Sequence, residues 1–445
     1  MKVLGMKMRF GALTRAALSA GIFAASTVAV QAQSLYGCND LAGYERLPSI
    51  EGKSGVFFRI NPDLYNFHAM SEETVDQVAE LARALESVGT KLIYVPMPTK
   101  SMVMPSFLTS ESEDFGFDAT LASTVYGEAV RRLRDHGVMT VDARRALVLA
   151  EQGDYPYFRA DYRMTSTGSA LLAAAIGGAI KEDEAYAELP RSEFNTTQTG
   201  QVALPSPMRH QLQQHCLNAL PEAITETYET KLSRSTVLSS NNANFSNTTQ
   251  SALVAVVGTE FTGEPAINFP GFLAQETGLD IRQYSVTGGG AFAAISTYLT
   301  SQEFQDIRPA YLVWENPIWN NLAKFGNQPM RELIVASSSA CRTALPILQT
   351  EDATRVRADI SNVDASLNYT LFIDTDGSQA NVARFKFRAA NGLERIKTIY
   401  RHPDQAKTGR FYMPADGIGE DDAVTVEIEL DQPFGSLPRL TACYN

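Results

Sequence analysis

Apolar residues recur at helical spacing through Val75, Val78, Ala82, Leu85 and Val88. Ser71 and the acidic pair Glu72-Glu73 precede this run and Gly89 follows it, the marks of a helix with both ends defined. Lys91-Leu-Ile-Tyr-Val95 is then a short apolar strand, stopped by Pro96 and Pro98. A second helix reads through Leu121, Val125, Ala129, Val130 and Leu133 to Gly137, and Val138–Val141 is the next strand. The alternation continues with a helix over Thr167–Ile180, a strand over Ser251–Val257 and a helix over Phe272–Thr277. Ile281–Val286 is a strand, Ala291–Leu299 a helix and Ala310–Glu315 the last strand of this half. Strands joined by helical crossovers predict an α/β domain with a doubly wound, mainly parallel sheet. Ligands of such sheets sit beyond the C-terminal ends of the strands.

Two stretches break the rhythm. Residues 185–250 are rich in Asn, Thr, Ser and Gln and carry His210, His215 and Cys216, which reads as an insertion pinned by a disulfide. Its Asn195, Asn244 and Asn247 sequons matter only in a glycosylating eukaryote. After Cys341 the period changes to two, in Leu367–Ile373, Ala383–Arg388 and Val424–Leu430, with turn residues between. That pattern predicts a small antiparallel β-sandwich over residues 342–445, following an α/β domain over 33–341.

The first 32 residues change where the chain is expected to work. Lys2, Lys7, Arg9 and Arg15 form a basic start, Ala16–Val30 is mostly apolar, and Val30-Gln31-Ala32 supplies small residues for cleavage. This predicts a signal peptide and a periplasmic protein with no membrane span in the mature chain. Leu35-Tyr36-Gly37-Cys38 imitates a lipidation box, but Tyr36 fits it poorly and three cysteines would be left over. Cys38, Cys216, Cys341 and Cys443 are instead expected to form two disulfides, and spacing alone does not choose among the three pairings. The formal charge of −12 argues against nucleic acid as a partner.

Chemistry is expected in three loops: Val95-Pro-Met-Pro-Thr-Lys100, Asp161-Tyr162-Arg163 with Gly168 downstream, and Val257-Gly258-Thr259-Glu260-Phe261 with Gly288-Gly289-Gly290 beyond it. Glycines beside a strand end let backbone N–H groups face a cleft, so Gly258, Thr259 and Gly289 are candidates for an oxyanion-like site. With Glu51–Phe58 and Tyr311–Glu315, these blocks resemble the AlgX/AlgJ family of periplasmic SGNH-hydrolase-like proteins that O-acetylate alginate and related exopolysaccharides. The resemblance implies an SGNH-hydrolase-like α/β domain followed by a C-terminal carbohydrate-binding module. It also implies one disulfide per domain, Cys38 with Cys216 and Cys341 with Cys443.

The family's Asp-x-His motif reads Asp161-Tyr162-Arg163 here, and its Gly-Thr-Ser nucleophile motif reads Gly258-Thr259-Glu260. Acyl transfer of this type needs a hydroxyl that attacks and an imidazole that moves its proton. Arginine, with a pKa above about 12, moves no proton at neutral pH. Asp161, Arg163 and Glu260 are therefore expected to be an inactive remnant, with Arg163 pairing Glu260 and taking Asp161 as a second partner. His68, His136, His210, His215 and His402 offer no evident replacement, and no sequence spacing suggests a metal or another cofactor.

The β domain offers a different surface. From Arg384 to Arg410, eight basic residues stand against only Glu394 and Asp404. Arg384, Lys386 and Arg388 share a strand face, with Phe385 and Phe387 turned to the core. Together with Arg395 and Lys397 they are candidates to bind an acidic polysaccharide, with Tyr400, Phe411 or Tyr412 available for stacking. A solvated basic sheet face is the plainer alternative. The combined reading is a polymer-binding or scaffold component of exopolysaccharide modification, working beside envelope polysaccharide-assembly proteins. The alternative is an active O-acetyltransferase or esterase with unorthodox residues.

Overall fold

The computed structural model describes residues 34–148, 155–235, 251–338, 341–364, 369–415 and 423–444. The signal segment 1–32, the Asn244 and Asn247 sequons and Leu367 lie outside these residues. Five parallel strands form the first domain's sheet, in the order Met139–Thr140, Lys91–Met97, Pro309–Pro317, Ser251–Gly258 and Asp280–Ser285. Pro309–Pro317, last in the chain, takes the centre, and all nine of its residues are buried.

Alternation along the strands divides the core between two faces. On one face Ile93, Val95, Val254, Val256 and Val313 meet Tyr126, Leu172, Ile176 and Leu273 from the helices Ala119–Asp135, Ser166–Glu182 and Phe269–Thr277. On the other, Leu92, Tyr94, Ala255, Leu312 and Trp314 meet Val75, Val78, Ile295 and Leu333 from Glu72–Glu86, Ala293–Thr300 and Gln328–Ser337. Each such apolar side chain contributes roughly 1.5–3 kcal/mol by leaving water. The doubly wound parallel sheet is therefore as expected, and Ser71 caps its helix by accepting from the Thr74 amide at 3.1 Å.

The helix Gln328–Ser337 is not announced by the sequence pattern. It packs on Glu72–Glu86 on one side and on the strand Arg410–Pro414 on the other, so Met330, Leu333, Ile334 and Val335 are all buried and no polar face remains to mark a stripe. The insertion is an antiparallel hairpin of Ser192–Leu204 with Ala223–Ser235, and Cys38–Cys216 pins the segment between its strands. Many of its positions face outward whatever their polarity, Val202, Ile224 and Leu232 among them, so it carries little apolar alternation.

The C-terminal domain is all β. One sheet holds Cys341–Leu345, Arg439–Tyr444, Tyr369–Asp374 and Arg410–Pro414. The other holds Ile347–Gln349, Arg355–Asp359, Ala423–Leu430, Val382–Ala389 and Glu394–Tyr400. Phe385 and Phe387 are buried between them, as the alternation predicts. Cys341 pairs with Cys443 across the first and last strands, so the β domain begins at Cys341 and its own ends are stapled. Among the described residues no helix is long and apolar enough to cross a membrane.

The two domains meet through a buried ion pair. Arg401 donates two bonds to Glu332 on the Gln328–Ser337 helix, one of 3.0 Å from Nη1 to Oε2, and the Tyr412 amide adds a third at 3.3 Å. Their side chains are only 8% and 3% exposed, so removing one partner strands a charge away from water. Arg401→Met is expected to destabilise the protein by about 3–5 kcal/mol. Denaturant unfolding measures this, and a midpoint equal to wild type contradicts it.

Candidate functional site

Loops at the C-terminal ends of two sheet strands converge on the segment that leads into the Ser166–Glu182 helix. The Lys91–Met97 strand runs through Pro96, which the sequence pattern takes as its stop, and ends before Pro98; Thr99 then opens a one-turn helix that points the Lys100 side chain inward. Lys100 is 1% exposed and donates to the carbonyls of Phe57 (2.9 Å), Phe158 (2.6 Å), Arg159 (2.8 Å) and Asp161 (3.0 Å). Burial pushes its pKa down to about 7. The four carbonyls oppose that loss, because an ammonium brings three N–H donors and a neutral amine brings fewer.

Held by this lysine, Asp161 is fully buried. Its Oδ1 accepts from the Arg163 amide at 2.9 Å and from Nε at 3.1 Å, and its Oδ2 accepts from Nη2 at 2.9 Å. Burial pushes the Asp161 carboxyl up, but bonds and charge from Arg163 outweigh it and hold the pKa below the ordinary range. Arg163 reaches Glu264 Oε2 at 3.1 Å and the Pro205 carbonyl at 2.6 Å, which ties the hairpin insertion to the site.

The expected Arg163–Glu260 pair does not form. Glu260 opens the Glu260–Gly263 turn of helix, one residue past the N-cap Thr259. Its Oε1 accepts from the Tyr162 hydroxyl at 2.6 Å and its Oε2 from the Gly288 amide at 3.1 Å. Arg163 takes Glu264, one helical turn on, in its place; the second partner, Asp161, is as expected.

The oxyanion-like candidates are also differently employed. The Thr259 amide and hydroxyl donate to Glu315, at 2.7 Å and 3.0 Å to Oε2, and the Gly289 amide donates to the Val286 carbonyl at 3.0 Å. Gly258 has no Cβ because one would lie 2.4 Å from Glu315 Oε2. Glu315 is wholly enclosed on the central strand, and burial pushes its pKa up to about 7. The sequence shows Glu315 and Lys100 only as members of motif blocks; a charged residue inside an apolar run was the available signal.

A stacked wall completes the cleft. The Arg59 guanidinium lies 4.4 Å from the Tyr162 ring centroid and 4.9 Å from that of Trp319, fixed by paired bonds to buried Asp63.

Residues 50–318 match the SGNH hydrolase-like domain of the acetyltransferase AlgX. The chain belongs to that family. It is 29% identical over 266 residues to the alginate biosynthesis protein AlgX of Pseudomonas aeruginosa, covering 60% of this chain and 55% of that protein. It is 24% identical over 327 residues to a probable alginate O-acetylase, AlgJ, of Pseudomonas syringae, covering 69% and 81%. The chain thus spans little more than half the length of the AlgX relatives it matches. The solved structure of Pseudomonas aeruginosa AlgX superposes with a TM-score of 0.77 at 23% identity, covering 92% of this chain and 99% of that one, which shows a shared fold across both domains.

Away from this AlgX-like cleft, the basic strand is not bare. Arg384 pairs with Glu429 at 3.4 Å, and Lys386 and Arg388 both pair with Glu394, at 2.9 Å and 2.5 Å. Glu427 and Glu429 come from the neighbouring strand, far along the chain, so a local count overlooks them. The register puts Arg395 and Lys397 opposite Phe387 and Phe385, on the other face, and Lys397 Nζ donates to the Pro414 carbonyl at 2.9 Å. Tyr400 is exposed, but Phe411 and Tyr412 are buried and offer no stacking face.

Among the described residues no histidine hydrogen-bonds to or ion-pairs with Asp161. His136 caps its helix beside Glu72 and Asp76, at 3.2 Å and 3.5 Å, a surface ion-pair group that no sequence spacing announces.

Lys100→Met removes the donor shared by four carbonyls, of which, among the described residues, only that of Arg159 keeps another, the Phe57 amide at 2.8 Å, and is expected to destabilise the protein by roughly 3 kcal/mol or more. Denaturant unfolding tests this; unchanged stability contradicts the role given to Lys100. Glu315 contributes a pH dependence of known sign. Its folded pKa of about 7 exceeds the ordinary 4.5, so its stabilisation is complete below pH 4.5 and is lost as pH rises through 7. Glu315→Gln is expected to flatten that decline relative to wild type. Parallel pH–stability curves for the two proteins contradict it.

Proposed function

We propose that this protein acts in the modification or assembly of an acidic, alginate-like exopolysaccharide in the periplasm, as a polymer-binding or scaffold component that does not itself transfer acyl groups. One observation carries the reading. At the family's nucleophile position stands a carboxylate with both oxygens engaged, by Tyr162 and by the Gly288 amide, and at the imidazole position stands a guanidinium clamped between Asp161 and Glu264. A nucleophile of that kind has no base beside it, and Arg163 has no proton to exchange at neutral pH. Losses within a catalytic triad are not additive, so one of these replacements already removes most of the rate.

The names of the AlgX and AlgJ relatives support the polymer class, and envelope polysaccharide-assembly proteins are the partners it implies. The Arg384–Arg388 strand is the polymer contact in this reading. Its ion pairs are exposed and screened by solvent, so uronate carboxylates can exchange with Glu394 and Glu429 at little cost.

The experiment has two arms. Turnover of p-nitrophenyl acetate is expected at background for wild type and for Glu260→Ala alike. Wild-type turnover abolished by Glu260→Ala establishes the alternative, an acyltransferase or esterase with unorthodox residues. Alginate oligosaccharide is expected to bind wild type in calorimetry and to bind more weakly when Lys386 and Arg388 are both changed to Glu; absent binding removes the polymer reading.

A further inference from the structure

A second cavity, of about 420 Å³, opens beside the degenerate cleft where the Lys91–Met97 and Pro309–Pro317 strands end, walled by the loop 61–70. Trp319 separates the two. Its ring meets Phe261 at 5.7 Å and Arg59 at 4.9 Å, and it also lines the cavity.

The lining carries no Asp, Glu, Lys or Arg among the described residues. Its polar residues include Asn61, Asn316, Asn320 and Asn321, the hydroxyl-bearing Tyr65, Thr74, Tyr94 and Tyr126, and His68. Asn316 is 2% exposed; its Nδ2 donates to Tyr94 Oη at 2.9 Å, while its Oδ1 meets no donor among the described residues. A buried acceptor without a donor is a standing penalty that a ligand hydroxyl removes. Tyr94, having accepted from Asn316, keeps its own O–H to give, and burial pushes its pKa up so that the proton stays. His68 Nε2 contacts the Pro62 carbonyl at 3.0 Å, and burial lowers the ring's pKa, so in its neutral form Nδ1 is an acceptor.

We infer that this cavity binds a neutral pyranose residue, whose hydroxyls both give and accept hydrogen bonds and whose C–H face packs against Tyr65, Phe67 and Trp319. The volume lies within the range of small-molecule sites, and aromatic walls with a few uncharged polar groups match a sugar ring. A uronate would place its carboxylate where no cation answers it. The inference does not rest on the acidic-polymer reading above.

The test uses the full-length mature protein with methyl glucopyranoside, methyl mannopyranoside and sodium glucuronate as probes, in saturation-transfer NMR and calorimetry. A neutral glycoside is expected to bind, with glucuronate weaker. Phe67→Ala removes a half-exposed rim ring without touching the core and is expected to weaken binding severalfold, while Asn316→Leu is expected to weaken it roughly tenfold or more. If Asn316→Leu does not fold, the Phe67→Ala result decides. Failure of both neutral glycosides to bind wild type overturns the inference. So does binding indifferent to Phe67→Ala, or glucuronate binding as tightly as the neutral sugars.

Discussion

Lys100 sits where four backbone carbonyls converge, and the geometry of the cleft follows from that point. Its Nζ joins the Phe57 carbonyl to those of Phe158, Arg159 and Asp161, two stretches that the chain order keeps far from each other and from Lys100. Loops that run over a surface rarely hold a charged residue in place; here an enclosed cation draws the loop to itself. Asp161 is positioned by this bond through its backbone and by Arg163 through its side chain. The lysine is therefore structural, and the motif block around it reports architecture rather than chemistry.

The charges of the cleft are arranged in separate sets. Asp161, Arg163 and Glu264 form one connected chain, and Glu260 with Tyr162 and Gly288 forms another. Glu315 lies beneath Thr259 and carries its own donors. The Glu260 carboxylate and the Arg163 guanidinium are thus accommodated by two local solutions, and neither residue depends on the other for a partner. A buried charge needs some partner, but which one is decided by the direction of a side chain on a turn of helix.

That distinction marks what the sequence makes legible. Periodicity places the sheet strands and their helices to within a few residues, because the helices have one face in the core and the strands are short apolar runs buried between them. It is silent on Gln328–Ser337, which is covered on both sides, and on the hairpin of the insertion, whose strands are largely exposed. The motif positions locate Asp161, Arg163 and Glu260 in one cleft. They do not reveal that Glu264 lies nearer to the guanidinium than Glu260 does, since both follow the same strand. The basic strand fails for a related reason: its carboxylate neighbours Glu427 and Glu429 lie some forty residues along the chain and come close only through strand pairing.

Survival of Asp161 is weak evidence for survival of the reaction. In an acyltransferase that aspartate orients an imidazole and stabilises its charged form. Here the same carboxylate receives three bonds from Arg163 and anchors a loop closed by Lys100, so folding alone accounts for its identity. Replacing it would strand a guanidinium and loosen the tie to Pro205, whatever the site does chemically. On the proposed non-catalytic reading, the cleft keeps its walls and its acid for structural reasons. Function is then better sought where polar groups stand without structural employment, and Asn316 Oδ1 in the neighbouring cavity is such a group.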